Sequence, residues 1–159
     1  MLNVIDRMKG LFYYVTHFEQ RIIPAIINLR ENPKPYKRSG YLTIRRKSDG
    51  RVIVLFEIGD CPQFKAKKYF ELSMEKGGRL FHHPGHVSSW QSRDPEKGRW
   101  GGAIATNELI VSFSGFTESL DEAAVLVFVT FFGWISDKQA GKIAKISNNF
   151  DYASLRDRV

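Results

Sequence analysis

The stretch Tyr41-Leu-Thr-Ile-Arg-Arg46, Lys47-Ser-Asp-Gly50, Arg51-Val-Ile-Val-Leu-Phe-Glu-Ile58 decides the fold. Its two flanks are rich in β-branched and aromatic residues, and Asp49-Gly50 between them supplies the positive φ that a tight reversal needs. The spacing predicts two antiparallel strands, 41–46 and 51–58, joined as a hairpin. Gly59-Asp-Cys-Pro62 closes it and predicts a helix from Pro62 to Lys76, with Asp60 or Cys61 near its cap and Gly77-Gly78 ending it.

Upstream, Phe18, Ile22, Ala25, Ile26 and Leu29 recur every three or four residues, which predicts an N-terminal helix over 4–29, kinked or broken near Pro24. Glu31 to Gly40 holds two prolines and a glycine and reads as a loop. Downstream, residues 82–102 are crowded with His, Pro, Gly and Ser and read as one long loop. Two further strands, 103–106 and 108–114, precede an apolar helix over 119–135 and an amphipathic helix over 137–147. The order predicts an α+β domain: an antiparallel sheet of four to five strands with helices packed on its faces.

The chain has 159 residues, which fits a single domain over 1–159. Its 12 Phe, 6 Tyr and 3 Trp give ample material for a core and exclude a disordered chain. The uncharged apolar run 123–135 falls short of the roughly 20 residues a bilayer-crossing helix needs, so no membrane partner is expected. Met1–Val15 has no signal-peptide pattern, and the single Cys61 excludes an intramolecular disulfide; both point to the cytoplasm.

The positive charge is local. Residues 1–80 carry 16 Lys+Arg against 8 Asp+Glu, a net of +8, whereas residues 81–159 carry 8 against 9, a net of −1. Within the first half, Lys34, Lys37, Arg38, Arg45, Arg46 and Lys47 form a candidate basic surface, with Tyr36 and Tyr41 among them. Such a segment suits a nucleic-acid or other anionic partner, through phosphate contacts and base stacking, and equally describes the solvated face of a hairpin.

Phe81-His82-His83-Pro84-Gly85-His86 places three imidazoles within five residues, and imidazole binds zinc, iron or copper through an unprotonated nitrogen. The spacing matches no structural zinc motif, and a solvated polar loop accounts for it equally. No Walker loop or Gly-x-Ser-x-Gly elbow occurs, and Ser112-Phe-Ser114-Gly115 does not replace one. Cys61 sits at a helix start, where a thiol can be activated, but no base accompanies it and no catalytic residue is assigned. Asp121-Glu122 lies in the first turn of a helix, where the dipole alone accounts for acidic residues.

Ser48-Asp-Gly-Arg-Val-Ile-Val54, Phe64-Lys-Ala-Lys-Lys68, Gly101-Gly-Ala-Ile104, Ser114-Gly115 and Asp121-Glu-Ala123 together resemble the GlcG/HbpS-like haem-binding family over about residues 40–135. The resemblance implies a profilin-like fold, homo-oligomers, and haem or a related tetrapyrrole as ligand. It would make His82, His83 or His86 an axial iron ligand, with Trp90 and Trp100 covering the macrocycle and Lys or Arg pairing with its propionates. The chain departs from the family in a late helix rich in Val and Phe and in the histidine loop itself. The function expected is a small ligand-binding or sensor protein, with the anionic-partner module as the alternative.

Overall fold

The computed structural model of the chain describes residues 4–29 and 38–159, with side chains from Gly10 onward. Four strands, β1 (Gly40–Arg46), β2 (Val52–Ile58), β3 (Ala103–Ala105) and β4 (Leu109–Ser114), form one antiparallel sheet in the order β2-β1-β4-β3. The helices are α1 (Val4–His17), α2 (Ile23–Leu29), α3 (Gln63–Phe81), α4 (Glu118–Phe131), α5 (Asp137–Ile146) and α6 (Asp151–Arg156). The α+β class and the antiparallel sheet agree with the sequence reading. Among the described residues no helix is long and apolar enough to cross a membrane.

The hairpin forms where its sequence places it. The Gly50 N–H donates to the Arg46 carbonyl and the Arg46 N–H to the Arg51 carbonyl, both at 2.9 Å, and Gly50 takes φ +72°. The register pairs Thr43 with Leu55 and Ile44 with Val54, and then slips by one residue before Arg45 meets Val52.

The sheet's two faces differ in chemistry. Leu42 and Ile44 on β1, and Val111 and Phe113 on β4, pack with Phe18, Ile22, Ile26, Phe128 and Leu155 into one apolar core. Each large side chain fully buried there contributes about 1.5–3 kcal/mol. The opposite face carries Thr43 and Ser112, whose hydroxyls meet each other and Ser73 of α3. Arg45 of the same face donates to the Met74 carbonyl at 3.0 Å. Only a small cluster, Leu80 with Ala103, Ala105 and Ile110, makes the α3 side apolar.

Two expectations are corrected, the ends of α3 and of the late helix. α3 does not stop at Gly77-Gly78 but runs to Phe81, because these glycines bring the helix onto the sheet instead of capping it. A Cβ at Gly77 would stand 3.1 Å from both Arg45 Nε and Ser112 Oγ. The N-terminal helix is interrupted near Pro24, as expected, and a second segment, α2, starts at Ile23. The ladder widens to a π-turn over Phe18–Ile22, where the Ile23 N–H reaches the Phe18 carbonyl, and this absorbs the missing donor and the ring clash of a proline. The late helix ends at Phe131, not 135, and Phe131 itself is half exposed. The long loop expected at 82–102 is present, with only short 3₁₀ turns at Ser89–Ser92 and Pro95–Lys97, and the sequence reading missed α6.

Candidate functional site

Lys65, Lys68, Tyr69, Leu72 and Lys76 recur along α3 at spacings of three and four residues, so they share one stripe of the helix. That stripe, Trp100, and the β4–α4 turn Ser114–Glu118 enclose a cleft of about 400 Å³ with Asp121 at its floor. Tyr69, Leu72, Trp100 and Phe116 give it apolar and aromatic walls.

The floor is an ion pair withdrawn from solvent. Lys76 Nζ donates to Asp121 Oδ2 at 2.8 Å, and each side chain is only 2% exposed. Nζ also donates to the Phe113 carbonyl at 3.1 Å. The other Asp121 oxygen accepts the Gly115 N–H at 3.2 Å and the Phe116 N–H at 2.9 Å. Asp121 thus ties the β4–α4 turn to α3 and fixes the shape of the cleft. Burial pushes its carboxyl above the usual carboxylate range, against the pull of the Lys76 ammonium and the two amides.

Glu122, next along α4, is equally buried and points to a different set of donors. It accepts from Ser88 Oγ at 2.5 Å, from Asn149 Nδ2 at 3.1 Å and from Ser147 Oγ. Burial raises its carboxyl as well, opposed by those three donors. These two acids therefore overturn the helix-dipole reading: they are buried hubs joining β4, α3, α4 and the chain after α5.

Trp100 is held from several sides. Its carbonyl accepts from Arg79 Nη2 at 2.5 Å, and Arg79 also grips the Ser89 and Ser92 carbonyls at 2.7 and 2.9 Å. The Arg93 guanidinium lies 5.1 Å from the Trp90 ring and 5.7 Å from the Trp100 ring, within cation–π range. Arg93 Nε and Nη2 in turn engage Glu118 at 2.6–2.9 Å, and Glu118 also accepts the Gly101 N–H at 3.0 Å. Of the two tryptophans singled out in the sequence, Trp100 lines the cleft, whereas Trp90 supports it from behind through Arg93.

The three histidines do not line this cleft. His82 and His83 are exposed and His86 is partly buried. His83 and His86 stack with ring centroids 5.0 Å apart, His83 Nδ1 bonds the Arg79 carbonyl at 2.7 Å, and His82 lies edge-on against Phe81. Among the described residues no group of three His, Cys, Asp or Glu is arranged to hold a metal ion.

Of the basic segment, Lys34 and Lys37 lie outside the described residues, and Arg38 is exposed. Arg45 is turned inward against α3, Arg46 pairs with Asp49, and Lys47 donates to the Thr106 carbonyl at 3.0 Å. Adjacent strand residues face opposite sides of a sheet, so Arg45 and Arg46 share no surface. Burial pushes the Cys61 thiol up, the reverse of what a nucleophile needs.

Sequence reasoning missed Lys65, Lys68, Tyr69, Leu72, Lys76 and Asp121. One signal was present: Lys76 stands on the same stripe as Tyr69 and Ser73, and a lysine on the inward stripe of a helix calls for a buried acid. No family model, curated protein or solved structure matches the chain, so the site is read from its own geometry.

Proposed function

We propose that this chain is a small-ligand-binding or sensor protein whose site is the cleft between α3 and the β4–α4 turn. The observation that carries the reading is the cleft itself, about 400 Å³ with aromatic walls over a floor fixed by the buried Lys76–Asp121 pair. A concavity with apolar and aromatic walls and a few placed polar groups is the usual form of a small-molecule site. Both ions of the floor are spent on one another and on backbone groups, which favours binding over acid–base chemistry. Haem or a related tetrapyrrole, a flat apolar body with carboxylates, is the first ligand to try.

Haem titrated into the purified protein should shift and sharpen its Soret band, and Trp100→Ala should weaken that binding. An unchanged free-haem spectrum removes the tetrapyrrole version. A shift abolished by changing His82, His83 and His86 to Ala, but untouched by Trp100→Ala, would place the ligand at the histidine loop and contradict the cleft.

A further inference from the structure

Two carboxylates line the cleft, and both are already paired, Asp121 with Lys76 at 2.8 Å and Glu118 with Arg93 at 2.6 Å. Lys65 and Lys68 at the rim have no carboxylate within ion-pair distance among the described residues; the neighbouring Lys67, outside the cleft lining, is the one that reaches Glu71, at 3.8 Å. The lining therefore carries two uncompensated positive charges, set one turn apart on the same stripe of α3 and above aromatic walls.

The geometry points to a ligand class: a flat aromatic or polycyclic molecule bearing one or more anionic groups, carboxylate, sulfonate or phosphate. Its ring system lies against Trp100 and Tyr69, and its charge is held by Lys65 and Lys68. This rests on the cleft being the binding site and adds the requirement for charge. Two like charges at the rim raise the local concentration of an anion, so an anion gains over its neutral twin, and added salt erodes the gain.

Two fluorescent probes with the same rings separate the claims: 1-anilinonaphthalene-8-sulfonate, an anion, and N-phenyl-1-naphthylamine, its neutral counterpart. The anion is expected to bind about tenfold more tightly. Lys65→Met with Lys68→Met, which keeps the apolar stems and removes the charges, should cut that ratio to near one with an unchanged circular dichroism spectrum. Equal affinity of the two probes for the native chain overturns the requirement for an anion and leaves the cleft reading standing. Binding of neither probe overturns both. An anion preference that survives the double substitution places the charge recognition elsewhere and overturns the role of Lys65 and Lys68.

Discussion

Replacing Lys76 by Met removes the cation from a site that keeps its acid. Both side chains of the pair are 2% exposed, so no water is at hand to solvate the Asp121 carboxylate that remains, and the Phe113 carbonyl also loses its donor. Breaking a buried pair on one side costs about 3–5 kcal/mol. In a chain of 159 residues that corresponds to a fall of roughly 10 °C in Tm, at about 2–4 °C per kcal/mol. Adding Asp121→Asn should restore about 2 kcal/mol: the Asn oxygen still accepts the Gly115 and Phe116 N–H groups, and no unpaired charge remains. Urea unfolding of wild type, Lys76→Met and the double variant measures all three. The pH dependence has a fixed sign. Burial already raises the Asp121 carboxyl above its usual 3.8, and losing Lys76 raises it further. A carboxyl raised in the folded state costs stability above that folded pKa, and the cost disappears as pH falls through it. The deficit of Lys76→Met is therefore largest at neutral pH and closes on acidification. A cost below about 1 kcal/mol, or a deficit that does not change with pH, would refute the reasoning.

The two glycines of α3 should respond in opposite directions. Gly77→Ala places a methyl group 3.1 Å from Arg45 Nε and Ser112 Oγ and should destabilise by about 1–3 kcal/mol, whereas Gly78→Ala, with its nearest neighbour at 3.6 Å, should stabilise by about 0.5–1 kcal/mol; thermal melts distinguish them. Glu122→Ala strands the Ser88, Ser147 and Asn149 donors and should cost about 3 kcal/mol or more in urea unfolding. Glu122→Gln removes a carboxyl whose pKa burial raises above 4.5, so its stability relative to wild type should fall as pH drops from neutral through that raised value. His17 has the opposite linkage. Burial, with Arg21 as a second cause, lowers its imidazole below 6.5, so its contribution is lost as pH falls below 6.5, and His17→Phe should flatten that loss in melts taken across the range.

The hairpin was legible because its signal is local: Asp49-Gly50 between β-forming runs leaves few alternatives to a reversal there. The same local reasoning failed at Gly77-Gly78, where glycine serves a contact with Arg45 and Ser112, residues more than 30 positions away in one direction or the other. Pro24 likewise announced a perturbation of the helix but not the π-turn that resolves it. The cleft was the least legible feature. Lys65, Lys68 and Lys76 read as ordinary helix surface until β4 and the turn after it are folded against them. Asp121 and Glu122 carry the chemistry of any acidic first turn, and only the layers above α4 show that both are buried. Trp100 was picked out for its ring, and its place in the cleft depends on Arg79, Arg93 and Glu118, which no spacing connects.

The most direct measurement is a titration of ¹⁵N-labelled protein with 1-anilinonaphthalene-8-sulfonate, followed by amide and tryptophan indole shifts. The account predicts saturable shifts centred on Lys65–Leu72, the Trp100 indole and Ser114–Glu118. Shifts centred on His82–His86 or on the hairpin 40–58, with the Trp100 indole unmoved, would contradict it.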